Sequence, residues 1–255
     1  MPCGGKPTEK KTPLRAGLKK IVHFLQKVCK NLENAKCLVY NELYSYIMRC
    51  FMRIVSLESA GYASNSYLIL QDAAKEFAVV DPSVDTMPAQ PYLCDGWKLK
   101  YVLLTHGHFD HILFVDAWRA LGAKVCIHEG DADFLGDPTK SLYLQFFARD
   151  TRHAPADIIL HDGDKLTLGG ETIAVMSTPG HTKGSVCYLF GDDLISGDTF
   201  MRGAIGRTDL YGSSDADMRE SIEKLSKLQK NYTVYPGHGG TTTLDREKKF
   251  GYLHE

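Results

Sequence analysis

Thr105-His106-Gly107-His108-Phe109-Asp110-His111 gathers three imidazoles and a carboxylate within six positions. Neutral imidazole is a ligand for zinc and iron, and a carboxylate beside it offsets part of a cation's charge. Gly107 removes side-chain bulk between His106 and His108. Three further segments add candidate ligands. They are His181 in Thr178-Pro-Gly-His-Thr-Lys-Gly-Ser185, Asp198 in Gly197-Asp-Thr199, and His238 in Pro236-Gly-His-Gly-Gly240. A lone His in a turn is ordinarily solvated, and an Asp after a strand ordinarily caps something. Taken together the four segments supply five His and two Asp, enough for two metal ions.

Each of these segments follows a short apolar run, so strands must deliver the ligands. Tyr101–Leu104 is wholly apolar, as expected at the centre of a sheet. The runs around Ile173–Met176, Leu194–Ser196 and Val234–Tyr235 precede His181, Asp198 and His238. Alternation and turn signals predict further strands at 54–57, 66–70, 77–80, 124–128, 158–160, 165–168 and 185–190. Asp81-Pro82-Ser83 reads as a strand exit. Helical spacing predicts helices over 111–121, closed by Gly122, over 131–135, and over 215–230 with Met218, Ile222, Leu225 and Leu228 on one face. Two runs of strands, each closed by helix, predict an α+β fold with two sheets packed face to face and helices outside.

The chain has 255 residues, a net charge of -1, 44% hydrophobic and 24% charged residues, values that exclude global disorder and collagen-like structure. No apolar run is long enough for a transmembrane helix, and no secretion signal is recognisable, so a cytoplasmic protein without membrane partner is expected. The seven cysteines form no CxxC pair, which fits reduced thiols. Charge is unevenly spread. Residues 1–51 hold ten Lys or Arg against three acids, whereas 52–255 hold 20 against 28. Leu14, Leu18, Ile21, Val22, Leu25 and Val28 keep helical spacing, so 1–51 reads as a basic helical extension; Met52 is an alternative translation start. Residues 52–255 read as the domain that carries the candidate ligands. Their acidic balance opposes a phosphate-backbone partner, so no nucleic acid is expected.

The segments HGHFDH (106–111), TPGHTKGS (178–185), SGDTF (196–200), GRTDL (206–210) and PGHGGTTT (236–243) agree in order and spacing with a known family. From about Met52 to about Lys249 the chain resembles the metallo-β-lactamase fold hydrolases, and more narrowly their single-domain, glyoxalase-II-like branch. The resemblance implies an αββα four-layer sandwich of two mixed sheets. It implies two divalent metals, Zn2+ first with Fe or Mn as alternatives. His106, His108 and His181 would hold one metal, Asp110, His111 and His238 the other, and Asp198 would bridge them. Asp110 would also serve the chemistry. Arg207, Lys183 and Tyr211 are candidate substrate contacts. The expected reaction is cleavage of a small-molecule thioester or ester by a metal-bound hydroxide. The alternatives are a mononuclear iron persulfide dioxygenase and a metal-dependent nuclease. The chain departs from the family pattern at Ser83, at Leu113-Phe114 and at Lys183, positions where relatives often carry Gly, Gly-Gly and Pro. Glyoxalase II enzymes bind glutathione with a helical C-terminal domain; here 17 residues follow His238, and the thiol half of the substrate stays open.

Overall fold

The computed structural model describes residues 52–57 and 63–253. The predicted basic extension at 1–51 lies outside the described residues. Fourteen strands are described: β1 Met52–Leu57, β2 Ser66–Gln71, β3 Glu76–Val80, β4 Lys98–Leu103, β5 Lys124–His128, β6 Ile158–Leu160, β7 Lys165–Leu168, β8 Glu171–Ser177, β9 Val186–Phe190, β10 Asp193–Gly197, β11 Phe200–Met201, β12 Ala204–Ile205, β13 Thr233–Pro236 and β14 Thr242–Thr243. The helices are α1 Gln90–Cys94, α2 Phe109–Ile112, α3 Val115–Arg119, α4 Tyr143–Phe147, α5 Asp215–Ser226 and α6 Leu244–Phe250, with short 3-10 turns at Met87–Ala89 and Glu129–Gly136.

The first sheet runs in chain order from β1 to β6, antiparallel up to β3 and parallel from β3 onward. The second has the order β14-β13-β10-β9-β8-β7, with β10 and β13 parallel and the other pairs antiparallel. Both are mixed, as expected. The side-chain period of two explains why the strands read as continuous apolar runs: each of their faces is covered. On β2, Tyr67 and Ile69 enter the core between the sheets, while Leu68 and Leu70 face the helix side. On β5, Cys126 faces the other sheet and Val125 and Ile127 face outward to the layer holding Trp118, Ile112 and Tyr92. The second sheet repeats this arrangement. Tyr188 and Ile195 point inward, and Cys187, Leu194 and Val234 pack on Leu225 of α5 and Leu244 of α6. The result is the expected four-layer αββα sandwich.

Two predicted helices come out differently. The helix expected over 111–121 is two short ones, because the Phe114 amide donates to Pro82 O (2.9 Å) and its ψ of 20° breaks the helical path. Helix α5 stops at Ser226 rather than 230; Leu228 N closes onto Leu225 O (3.2 Å), a tightened last turn. Its start follows the expected chemistry, with Ser214 Oγ accepting from Asp217 N and two aspartates in the first turn. Helices α1, α4 and α6 were not anticipated. Cys126 and Cys187 are buried free thiols, but Cys94 at the end of α1 is disulfide-bonded. Reduced thiols throughout are thus not found, since pairing depends on tertiary proximity that local spacing does not reveal. No described helix is long and apolar enough to cross a membrane.

Candidate metal centre

All four ligand segments leave the carboxyl ends of strands. His106 and His108 follow β4, His181 follows β8, Asp198 follows β10 and His238 follows β13. Strands β8, β10 and β13 run in one direction, because β9 is antiparallel to both β8 and β10, and β10 is parallel to β13. Their exits therefore share one edge of the second sheet. Cross-sheet hydrogen bonds bring the exit of β4 to that edge. Val186 N donates to Thr105 O (2.9 Å), Tyr188 Oη to Leu104 O (2.7 Å), and Tyr67 Oη to Pro236 O (2.6 Å).

The seven side chains converge there. Ring centroids of His106, His108 and His181 lie 4.7–4.8 Å apart, and those of His111 and His238 are 5.5 Å apart. Asp198 lies between the two groups. Its Oδ2 is 3.7 Å from His181 Nε2 and 3.5 Å from His238 Nε2, and its Oδ1 is 3.5 Å from His111 Nε2. Asp110 Oδ2 is 3.1 Å from His238 Nε2. Three sets could each hold a cation: His106 with His108 and His181; His106 with His111 and Asp198; Asp110 with His111 and His238.

The polar accounting supports a cation at this place. Buried nitrogens and carboxylate oxygens are almost always hydrogen-bonded. Yet His106 Nε2, His108 Nε2, His111 Nε2 and Asp198 Oδ1 are buried without a hydrogen-bond partner. The opposite nitrogens are held. His111 Nδ1 donates to Asp81 Oδ2 (2.9 Å) and His181 Nδ1 to Arg207 O (2.9 Å), while His106 Nδ1 meets Thr105 Oγ1 (3.1 Å). Thr105 Oγ1 in turn donates to Asp81 Oδ2 (2.7 Å), so it is left to accept from His106. The bonds at His106 and His111 leave Nε2 unpartnered on the side of the cluster, and His181 Nε2 meets His108 Nδ1 there (2.9 Å), orientations that suit metal ligation.

Electrostatics divide the imidazoles. Burial and neighbouring histidines push His106 well below its usual range, and burial brings His108 down to about 3. His181 is lowered chiefly by burial too. For His111 burial acts the same way, but the carboxylates of Asp81, Asp110 and Asp198 outweigh it and hold the ring well above its usual range. His238 is raised by its contact with Asp110. Burial works against the charge of Asp198, and the surrounding histidines more than reverse that effect, so its carboxylate stays ionised.

Glycine is required where backbone closes on the site. A Cβ on Gly237 would overlap Asp198 Oδ1 and lie 2.7 Å from His111 Cε1; one on Gly107 would overlap Phe134.

The candidate substrate contacts lie farther out. Arg207 is exposed and forks onto Asp209 (2.6 and 2.7 Å); the part of it that reaches the site is its carbonyl, on His181. Lys183 is exposed, and Tyr211 is half-exposed with its ring 6.0 Å from Phe134. Two functional residues were missed. Asp81, expected only as a strand exit, is buried with a left-handed φ of 48° and holds both Thr105 and His111. Buried Asp131 accepts from Gly107 N (2.9 Å), Thr182 Oγ1 (2.7 Å) and Gly184 N (2.7 Å), clasping the His106–His108 segment to the His181 loop. An Asp after an apolar strand and before Pro is a signal for the first; nothing local marks the second. The departures from the family pattern fit locally. Ser83 Oγ donates to Asp110 O (2.6 Å), and Leu113 packs on the helix-side core. His128, expected as core or solvated, is buried on Ser177 Oγ (2.8 Å). His153 lies in a loop, as expected, and is buried between Asp116 and Tyr143.

Known proteins share this architecture. Residues 60–238 match the family model of the metallo-beta-lactamase superfamily. A probable polyketide biosynthesis zinc-dependent hydrolase of Bacillus subtilis is 32% identical over 76% of this chain and 81% of its own. The crystal structure of the B3 metallo-beta-lactamase BLEG-1 superposes with a TM-score of 0.73 at 32% identity, covering 80% of this chain and all of that one. The protein TTHA1623, solved in a di-iron-bound form, superposes with a TM-score of 0.66 at 27% identity, over 77% of this chain and 98% of its own. With its fold and its cluster of five histidines and two aspartates, the chain belongs to the metallo-β-lactamase superfamily.

Proposed function

We propose that the protein hydrolyses a small-molecule thioester or ester at a dinuclear metal centre. The observation that carries this reading is the pair of candidate ligand sets on either side of Asp198, with the Nε2 atoms of His106 and His111 left unpartnered. His106, His108 and His181 would hold one cation and Asp110, His111 and His238 the other, with Asp198 between them. Two divalent cations supply, when bound, a water acidified toward neutral pH and a Lewis acid for the carbonyl oxygen. The chain's own groups do the rest. Asp81, Thr105 and the Arg207 carbonyl fix the imidazole tautomers and orientations. Asp110, anchored through its carbonyl by Ser64 and Ser83, keeps Oδ2 beside His238 to orient the attacking water and take its proton. The water oxygen forms a bond to the acyl carbon, the C–S or C–O bond breaks, and the leaving thiolate or alkoxide receives the proton. No serine or cysteine nucleophile is needed.

The similarity to a zinc-dependent hydrolase and to a di-iron protein supports zinc first and iron second. Plasma-emission analysis of the purified protein, paired with a panel of thioesters, esters and a chromogenic β-lactam, tests the reading. Two metal ions per chain with thioester or ester turnover are expected, and turnover should vanish with the metal in His108→Ala and Asp198→Ala. Full activity in either variant would refute the assignment. One iron per chain with oxygen consumption would replace hydrolysis by the dioxygenase chemistry, and turnover confined to the β-lactam would replace the substrate class.

A further inference from the structure

A five-residue helix beside the ligand motif carries its apolar side chains outward. Phe146 is 51% exposed and Phe147 41% exposed on α4. Both rings lean on Phe109, with centroids 5.2 and 5.0 Å away, and Phe109 stands in sequence between His108 and Asp110. The Phe109 amide donates to Ser141 O (2.8 Å), which pins the loop before α4 to the ligand motif. The position is held at a cost. Leu142 and Ala148, at the two ends of α4, both take left-handed φ values, 69° and 51°, that residues with a Cβ rarely adopt. The underside is fastened as well. Buried Tyr143 meets His153 Nε2 through its hydroxyl (3.2 Å), and His153 Nδ1 donates to Asp116 (2.7 Å). A strained and tethered backbone that turns two phenylalanines toward solvent, packed on a residue of the candidate ligand motif, is a device for binding, since folding alone would favour covering them.

We infer that Phe146 and Phe147, backed by Phe109, form a platform for the acyl group of the substrate, and that the preferred substrates carry a long alkyl or arylalkyl acyl chain. The inference rests on the hydrolytic reading and narrows its substrate class. Of the two halves of a thioester, the thiol carrier brings the polar groups and the acyl chain brings the apolar area that aromatic rings take out of water. Each methylene fully withdrawn from water strengthens binding about fourfold, so a chain lying across half-exposed rings gains about tenfold or more over acetyl.

The test compares kcat/KM for decanoyl and acetyl thioesters of N-acetylcysteamine, with metal content and melting temperature recorded for each variant. The wild type should favour decanoyl by about tenfold or more. The double variant Phe146→Ala/Phe147→Ala should lose most of that ratio, and Phe146→Leu/Phe147→Leu should keep most of it. Phe146→Ser alone serves where the double variant does not fold, because Phe147 still covers Phe109. A wild-type ratio near one, or a ratio that the alanine variant preserves, overturns the platform while leaving hydrolysis standing. A double variant that sediments as a smaller species with its ratio unmoved assigns the patch to contact between copies and overturns it too. If no thioester or ester is turned over, the hydrolytic reading fails, and calorimetric binding of decanoate against acetate decides the platform. Tighter decanoate binding that the alanine variant loses upholds it, and equal binding overturns it.

Discussion

Asp131 offers the sharpest test of how the ligand loops are held. Its carboxylate is fully buried and accepts from Gly107, Thr182 and Gly184. Burial nevertheless dominates and raises its pKa from 3.8 to about 6, the three donors offsetting only part of the penalty. A carboxyl whose folded pKa is raised adds stability below its unfolded pKa, and that stability is lost as pH rises through the folded value. The full difference is about 3 kcal/mol, of which about 2 kcal/mol falls between pH 4 and pH 7. Asp131→Asn removes the titration and leaves one donor facing the new amide, a loss of about 1–3 kcal/mol at every pH. At pH 7 the two effects nearly cancel; at pH 4 the variant should be the less stable by about 2 kcal/mol more than at pH 7. Urea unfolding of both proteins, stripped of metal by a chelator, measures this, because the histidines and other carboxylates titrate alike in both and drop out of the difference. A wild-type advantage that stays constant from pH 4 to pH 7, or grows with pH, would refute the argument.

Three further outcomes are expected. Asp81→Asn keeps the shape but weakens the acceptor for His111 and Thr105, and should lower metal affinity about 10–100-fold, read by competition with a chromophoric chelator. An unchanged affinity would remove Asp81 from the orienting role. Gly237→Ala pushes a methyl group into Asp198 and His111 and should yield protein with less than half the wild-type metal content; full occupancy would show that the turn can yield. Supplying metal at about 100 times its dissociation constant should stabilise the chelator-treated protein by about 2.7 kcal/mol, a rise of roughly 5–11 °C in melting temperature for a domain of this size. A melting temperature indifferent to metal would count against binding at the folded site.

The sandwich was legible because its strands are short, apolar on both faces and closed by turn residues, so that even Ile158–Leu160 could be placed. The convergence of the candidate ligands was legible because His106, His108, His181, Asp198 and His238 each sit beside a glycine just past a strand. What escaped depends on contacts between distant segments. Phe114 fits the helical period of its neighbours, but the carbonyl of Pro82, 32 residues earlier, captures its amide. Asp131 looks like any residue of a short acidic turn until folding brings Gly107 and Gly184 against it. Helix α4 carries three aromatics in Tyr143-Leu-Gln-Phe-Phe147 without an amphipathic period, because its two ends are set by left-handed residues rather than by caps. Arg207 was singled out for its side chain, whereas its backbone carbonyl is the group that orients His181.

The same comparison explains why this cluster is not simply a polar core. A buried polar core is tolerated when its donors and acceptors satisfy each other. Here the outer nitrogens of His106, His111 and His181 are satisfied, while the inner Nε2 atoms of His106 and His111 have no hydrogen-bond partner and that of His181 meets only another imidazole, at His108 Nδ1 (2.9 Å). Three carboxylates, those of Asp81, Asp110 and Asp198, surround five imidazoles, of which burial keeps His106, His108 and His181 neutral. His111 and His238 are the two rings whose hold on a proton those carboxylates raise. Those rings belong to one of the sets that could hold a cation. A divalent ion at that set would meet the same carboxylates that raise these rings, so the arrangement suits a cation better than self-satisfaction.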